Sequence, residues 1–427
     1  MANMDLTTLF ESANNTHASE DDAMALVSSN SILEVDVGIE WRGIDCVFND
    51  WLHISNLNLW RDFLPPELET ELNGLHRGDT IQHHFAAGEL VPGWQSSQLQ
   101  RIKRDQFKPP LKGLEPIEPT LGRFYPKDFF KNVPEIVEGN KFPCRITEIN
   151  EDELLIDLNH PLANKAITLT LRIASIKHAS SEQGGRCNDI PAMICDHGPG
   201  LQDDLAQAET DFMHGKPFAR INESDDADYY QTPRLTPYWD SLGLQQVSTY
   251  YRQLIPQGAH ILDLMAGVHS PLQQAEKSRY SVSCAGLNLT ELENNPVCSE
   301  RIQLDVNSAE TLPFADQQFD VVLIHAAIEY VTHPQQLMLE IGRVLKAEGK
   351  IIISFSNRSE GDKCISLWAR AHEFERPGIV LSYLRSAGCF ADFQSFSHRG
   401  HLRPENDELA NRLLHSDPVY LITANRT

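Results

Sequence analysis

An acid and a glycine stand where a buried apolar run gives way to a turn, and these residue types can hold a cofactor. The run at residues 261–264 contains Asp263, Gly267 follows it, and Ser270-Pro271 comes next. A continuous apolar run is typical of a strand buried on both faces of a parallel sheet, and Ser-Pro is typical of a helix start. Ligands of such sheets bind beyond the carboxyl ends of the strands. The stretch predicts a cofactor site, although an ordinary strand, turn and helix would have the same pattern.

A second group of polar side chains accompanies the apolar run at 319–326. His325, Glu329 and Tyr330 lie where that strand would open towards a substrate, and His269 lies in the first loop. Imidazole can accept a proton near neutral pH, so His325 is the better candidate base, with Glu329 and Tyr330 as pocket-lining candidates. A lone histidine at such a place is more often a structural hydrogen-bonding group, and that alternative stays open.

Alternating apolar runs and amphipathic stretches from residue 238 onward must position these groups. This alternation predicts a parallel sheet with helical crossovers. Helices are predicted at 244–254, at 271–277, from 290, and at 334–347, where Gly349 would end the last one. Strands are predicted at 261–265, 281–287, 302–306, 319–326 and 350–355, with two more near 390–396 and 419–424.

The order of motifs over residues 236–427 resembles the class I S-adenosylmethionine-dependent methyltransferases, in particular their type 11 subgroup. The matching segments are Asp263 with Gly267, Asp305-Val306, Leu312-Pro313-Phe314, Phe319-Asp320-Val321-Val322 and residues 343–350. The resemblance implies a Rossmann-like, seven-stranded sheet whose last strand is antiparallel. It also implies S-adenosyl-L-methionine as cofactor and methyl transfer to an unknown small-molecule or protein acceptor.

The same resemblance implies roles for individual residues. Asp305 and the backbone of Val306 would meet the adenine, Asn288 stands where the family has an acid for the ribose, and the methionine end would lie near Gly267. In-line displacement on a sulfonium depends mainly on positioning. The family's Gly-x-Gly-x-Gly loop is reduced here to one glycine. The implied cofactor-binding residues are Asp263, Ala266, Gly267, Asn288, Asp305, Val306 and His325.

The first half of the chain reads as a small antiparallel domain. Strands are predicted at 33–41, 80–85, 146–149, 154–158 and 167–176, with a helix carrying Leu68 and Leu72 and a long loop at 86–122. Three sequence segments resemble FKBP-type prolyl isomerases of the SlyD-like subgroup. They are residues 68–72, 126–130 and 157–163, and the last contains Asn159-His160-Pro161-Leu162-Ala163. The resemblance covers about residues 32–178 and implies an insert-in-flap subdomain at about 123–166.

A shared fold does not by itself assign an activity to this first half, because one fold hosts many activities. The flap stretch 107–121 lacks the family's aromatic segment, so we expect prolyl isomerase activity to be weak or lost and the domain to serve docking or chaperone work. Unfolded or proline-containing polypeptides are the implied partners. Two alternatives remain: a prolyl isomerase or chaperone with a degenerate methyltransferase-like domain, and a scaffold without either activity.

Composition narrows the class of protein. The 427 residues carry a formal charge of −24, which argues against non-specific binding to nucleic acid or anionic membranes. No signal peptide or membrane span is predicted, so we expect a cytoplasmic protein. The eight cysteines form no Cys-x-x-Cys pair, which favours reduced thiols. Cys187, Cys195 and His197 match no standard zinc spacing, and no metal is predicted.

The predicted organisation has four parts. A flexible tail spans 1–31, the FKBP-like domain 32–178, a linker with an aromatic-rich strap 179–235, and the methyltransferase-like domain 236–427. Glycine and proline within 179–200 predict an irregular linker. The strap is either a lid facing the substrate or a set of apolar anchors covering the sheet, and both can hold together.

Overall fold

The computed structural model of the chain describes residues 25–110, 117–177, 184–205, 208–272, 278–358 and 361–427. Most of the predicted tail and most of the predicted helix 271–277 lie outside the described residues. No helix in the described ranges is long and apolar enough to cross a membrane.

The N-terminal half begins with a four-stranded antiparallel sheet in the order β2-β1-β8-β3. A short helix, α1, buries Leu68 and Leu72 beside it, because these two leucines share one helical face. The elements are β1 (Ile32–Arg42), β2 (Cys46–Asn58), α1 (Pro66–Leu72), β3 (Thr80–Phe85) and β8 (Ile167–Lys177).

A second, smaller sheet is inserted between β3 and β8. Its strands follow the order β4-β7-β6-β5 and enclose a separate apolar core that includes Phe130 and Ile146. The strand β4 lies within residues 86–122, so the prediction of one long loop there was wrong. The elements are β4 (Leu99–Lys103), β5 (Phe124–Pro126), β6 (Pro143–Ile149) and β7 (Glu153–Asp157).

The C-terminal half contributes strands in the order β11-β10-β9-β12-β13-β15-β14. Pairing is parallel from β11 to β13, and β15 is antiparallel to both of its neighbours. The strands are β9 (His260–Leu264), β10 (Ser281–Gly286), β11 (Glu300–Gln303), β12 (Phe319–His325), β13 (Leu345–Phe355), β14 (Phe390–Arg399) and β15 (Val419–Arg426).

Helices and connecting segments cover this sheet. The helix α2 was not predicted, since its segment was expected to be irregular; Asp189 caps it by accepting from Ala192 N, and Pro191 fits its first turn. The helices are α2 (Ile190–Cys195), α3 (Asp226–Tyr229), α4 (Ser241–Leu254), α5 (Leu289–Asn294), α6 (Pro334–Val344), α7 (Ser366–Arg370) and α8 (Glu375–Ala387).

Two of the predicted elements end earlier than expected. The third strand of this half ends at Gln303, because Asp305 O accepts from Ser308 N and Ala309 N and turns the chain away from the sheet. The helix α6 ends at Val344, where Gln318 N donates to its carbonyl, and Gly349 lies inside β13 instead of ending the helix.

The two halves share one sheet. β2 pairs in parallel with β14, so eleven strands run continuously from β11 to β3, and one apolar core contains residues of both halves. The sequence predicted two separate sheets and gave no strand at 46–58. The inserted sheet also contacts the C-terminal half, since Arg123 forms a bidentate ion pair with buried Glu375 on α8 at 2.8 and 3.1 Å.

The cysteines are not all reduced. Cys284 on β10 and Cys298 form a disulfide, which the lack of a Cys-x-x-Cys pair did not anticipate. Their backbones lie close because Ser299 N donates to Val282 O as the chain enters β11. The thiols of Cys187 and Cys195 stay free.

Candidate functional site

Four parallel strands end at the same edge of the C-terminal sheet, and the predicted site residues lie at or just beyond those ends. Asp263 lies within β9, Asn288 follows β10, Asp305 follows β11, and His325 ends β12. Neighbouring parallel strands bring their carboxyl ends together, so residues far apart in sequence meet here.

The loop after β9 is held tightly against β10. Ala266 N donates to Ala285 O at 2.9 Å, and a Cβ on Gly286 would lie 2.2 Å from Ala266 O. Met265 has a φ of +59°, a left-handed conformation that costs a non-glycine residue about 1–2 kcal/mol. The sequence gave no signal for Gly286 or for the strain at Met265, since both depend on how closely the loop approaches the neighbouring strand.

Asp263 is almost completely buried beneath this loop. Burial raises the pKa of its carboxyl to about 6, and a hydrogen bond from Ser270 acts in the opposite direction. The hydrogen bond with Ser270 connects Asp263 on β9 with the loop that follows the strand.

Asp305 lines a cavity with a volume of about 820 Å³. Its carboxylate accepts from Asn307 N at 2.9 Å and from Ser308 Oγ at 2.6 Å, which fixes the turn after β11. Of the residues predicted to bind the cofactor, Asp305 alone lines this cavity. The adjacent Val306 is half-buried.

The segment 220–239 overlaps the aromatic-rich strap predicted within 179–235 and extends to Trp239. We call this segment the strap from here on, and it crosses this edge of the sheet. Asn288 Nδ2 donates to Tyr230 O and Gln231 O at 3.0 Å, while its Oδ1 caps α5. The Asn288 amide is thereby engaged by the chain itself. At its other end the strap places the ring of Trp239 against His325, with centroids 4.7 Å apart.

A buried charged group fastens the strap beside the cavity. Asp226 on α3 pairs with Arg220 Nη1 and Lys363 Nζ at 2.8 Å each, and it accepts from Asn307 Nδ2 at 2.9 Å. Sequence analysis missed these partners, although interleaved arginines and acids in the strap were a signal. The strap is therefore tied to the segments that follow β11 and β13.

His325 lies in a closed environment. Its Nδ1 is 2.8 Å from Ser354 Oγ, which is in turn 2.7 Å from the Tyr251 hydroxyl. Burial lowers the pKa of His325 to about 3, so the ring is neutral and a weak base at neutral pH.

Glu329 and Tyr330 occupy a short 3₁₀ turn after β12. Glu329 is 2% exposed, and its Oε2 has no hydrogen-bond partner among the described residues. Burial raises the pKa of Glu329 to about 7. The Tyr330 hydroxyl lies 3.5 Å from that of Tyr238 in the strap, and burial raises its pKa far above the ordinary value.

The C-terminal half is similar in sequence to known methyltransferases. Residues 262–353 match a family model described as a methyltransferase domain. The ubiquinone/menaquinone biosynthesis C-methyltransferase UbiE of Rickettsia massiliae is 32% identical over 136 residues, which are 28% of this chain and 55% of that protein. The chain thus spans about half the length of this relative.

The N-terminal part is similar to a different protein. The FKBP-type peptidyl-prolyl cis-trans isomerase SlyD of Vibrio cholerae is 28% identical over 164 residues, 38% of this chain and 71% of SlyD. A solved S-adenosylmethionine-dependent methyltransferase from Mesorhizobium loti aligns at 16% identity over 42% of this chain and 96% of that chain, with a TM-score of 0.30. The predicted resemblance to a methyltransferase domain joined to a SlyD-like segment is confirmed.

Proposed function

We propose that the C-terminal half, which carries a methyltransferase domain, binds S-adenosyl-L-methionine and transfers its methyl group to a small molecule or a protein side chain. The observation that carries the proposal is that the loop after β9 and Asp305 lie at the same edge of a sheet ordered β11-β10-β9-β12-β13-β15-β14. We interpret these strands as the seven-stranded sheet of the class I family.

The chain's own residues fit the cofactor in part. Asp305 offers a carboxylate to the adenine amino group, beside a cavity large enough for a nucleoside. The absent side chain of Gly286 lets the loop containing Gly267 lie close to β10, where the methionine end would rest. Asn288 fits its implied role poorly, because the strap already occupies its amide. We infer that the strap is a lid, which must release Asn288 before that residue can meet a ribose.

When bound, the cofactor supplies an electrophilic methyl group on a sulfonium. The chain must then position the acceptor and take up its proton. We propose Glu329 for this step instead of His325. A buried carboxyl with a pKa near 7 is a proton acceptor matched to neutral pH, whereas a histidine with a pKa near 3 is a much weaker one.

Titration of the full chain with S-adenosyl-L-methionine by calorimetry tests this function. We expect saturable binding, weakened by about 1–3 kcal/mol in Asp305→Ala if the carboxylate holds the adenine. Glu310→Ala, at an exposed acid five residues further on, is the matched control and should bind like the wild type. No binding at millimolar cofactor would refute the methyltransferase function.

For residues 32–178 we propose an FKBP-like module with an insert at about 123–166 that docks onto the catalytic half. Support comes from the Arg123–Glu375 pair, which joins the insert to α8 of the catalytic half. Arg145 Nη2 donates to Asp203 O at 2.6 Å and so holds the insert to the connecting segment. A proline-limited refolding assay with the full chain separates this from the alternative, a prolyl isomerase or chaperone. If the module only docks, the full chain should not accelerate proline-limited refolding. Acceleration of refolding at substoichiometric protein would favour the prolyl isomerase or chaperone.

A cytoplasmic location, unfolded or proline-containing polypeptides as partners, and the absence of nucleic-acid or membrane binding remain predictions. The domain bounds 1–31, 32–178, 179–235 and 236–427 likewise remain our proposal, although the sheet is continuous across the second and fourth of these parts.

A further inference from the structure

Four ionisable side chains meet where the two halves of the sheet join, and we call them the junction cluster: Asp36, His53, His398 and His401. Asp36 and His53 are cross-strand partners in β1 and β2, His398 lies on β14, and His401 follows that strand. The first three are 0%, 7% and 4% exposed, and His401 is half-buried. None of them belongs to the proposed methyltransferase site.

The ligand atoms of three of these residues converge. His398 Nε2 lies 3.0 Å from His401 Nε2 and 3.8 Å from Asp36 Oδ1, and Asp36 and His401 offer ligand atoms within 4.8 Å of each other. Ligand atoms around a tetrahedral zinc ion with bonds of about 2.0–2.1 Å stand about 3.3 Å apart. The first two distances bracket that spacing, so small side-chain shifts suffice to enclose an ion.

His53 has a different place in the cluster. Its Nδ1 is 2.8 Å from Asp36 Oδ1 and its Nε2 is 3.1 Å from Glu34 Oε1, so both ring nitrogens are engaged by carboxylates. Its ring stacks on His401 with centroids 3.9 Å apart and planes 13° apart. Ring lone pairs lie in the ring plane, and two stacked imidazoles therefore cannot aim at one ion. His53 orients Asp36 instead of acting as a ligand.

The surroundings support ligand roles for His398 and His401. The Tyr250 hydroxyl lies 2.6 Å from His398 Nδ1. In metal sites, a hydrogen bond to one ring nitrogen of a histidine orients the ring so that the other nitrogen can bind the metal. Gly400 has a φ of +98°, and a Cβ there would lie 2.5 Å from His53 O, so this glycine brings His401 up to the sheet.

The two carboxylate oxygens of Asp36 have different surroundings. Oδ1 faces His53 and His398, whereas the buried Oδ2 has no hydrogen-bond partner among the described residues and lies 4.0 Å from Arg172 Nη1. Oδ1 is therefore the oxygen that an ion beside His398 would meet.

We propose that Asp36, His398 and His401 bind one divalent transition-metal ion of the zinc class at the seam between the two halves. Two imidazole nitrogens and a carboxylate suit zinc, whereas magnesium and calcium prefer oxygen ligands. Because β1 supplies one ligand and the β14 segment the other two, the ion fastens the N-terminal half to the catalytic half.

The test uses the full chain, stripped with a chelator and titrated with Zn²⁺, and with Co²⁺ as a spectroscopic probe. We expect one equivalent bound with micromolar or tighter affinity, ligand-field bands typical of tetrahedral Co²⁺, and a rise in Tm on zinc addition. His401→Asn and His398→Asn should each weaken binding by at least about 100-fold, and Tyr250→Phe, which acts through His398, by about 10–100-fold.

His76→Asn, at an exposed histidine of the N-terminal half, is the control and should bind like the wild type. His401 is half-buried, so its variant is the one expected to fold even if His398→Asn does not. Substoichiometric or only millimolar binding by the wild type overturns the proposal, and so does unchanged binding by His401→Asn. Either result would mean that His398 Nε2 and His401 Nε2 form only a hydrogen bond with each other. Cofactor binding is a separate measurement, so failure of one proposal does not imply failure of the other.

Discussion

Replacing Glu329 by Gln should remove a pH-dependent penalty on folding. Burial raises the pKa of this carboxyl from 4.5 to about 7. Between these values the folded chain keeps a proton that the unfolded chain has released. Stability therefore falls as pH rises through this window and stays lower above it. At about 1.4 kcal/mol per pKa unit, this shift lowers the free energy of unfolding by about 3 kcal/mol above pH 7.

Chemical denaturation of wild type and Glu329→Gln at pH 5 and pH 8 measures the effect. Part of the penalty is already present at pH 5, so the stability difference between the two proteins should change by about 2–3 kcal/mol in favour of Gln at pH 8. Glu293→Gln, at an exposed acid on α5, provides the control and should show almost no change. A change below about 0.5 kcal/mol for Glu329→Gln would refute the claim that this carboxyl is buried without compensation.

Two further substitutions test how the site and the domain contact are built. Gly286→Ala places a Cβ 2.2 Å from Ala266 O, so it should lower stability by about 1–3 kcal/mol and weaken cofactor binding in calorimetry. Gly184→Ala is the control, because the space around Gly184 is open. Cofactor binding like the wild type by Gly286→Ala would contradict the close approach of the loop to β10. Arg123→Met leaves Glu375 buried and unpaired, which should cost about 3–5 kcal/mol in denaturation, and adding Glu375→Gln should recover most of it. A cost below about 1 kcal/mol would mean that the pair is exposed in solution.

Elements with a clear local pattern were predictable from the sequence. Thr80–Phe85 was predicted at its observed bounds, and the strand at 261–265 lies at His260–Leu264. In both cases the apolar period and the flanking turn residues are contained within the segment itself, so no distant contact was needed to recognise it.

The strand β2 was missed because its burial depends on distant partners. Asn49, Asp50 and His53 break its apolar pattern, yet all three are buried. Asp50 accepts from Trp41 Nε1, Gln202 and Ser397, which satisfy its polar atoms inside the shared core. Sequence alone shows three polar residues and cannot show that partners from other elements compensate their burial.

The acids of the candidate site were predictable from the sequence, whereas the contacts of the strap that crosses the site were not. Asp263 and Asp305 follow from strand ends, which a sequence pattern locates. The contacts from the strap to Asn288 span 58 and 57 residues, and they depend on the path of irregular chain, for which no periodicity exists. The raised pKa of Glu329 likewise arises from burial by several segments at once.

The pairing of β2 with β14 sets an order of events during synthesis. Ser397 Oγ donates to Asp50 Oδ1 across 347 residues of chain. At about 5–20 residues per second, β2 waits on the order of 20–70 s at the ribosome before its neighbour exists. During that interval its open edge is a template for wrong pairing with other chains. The N-terminal half of the sheet thus completes its hydrogen bonding only after the chain has been made as far as β14.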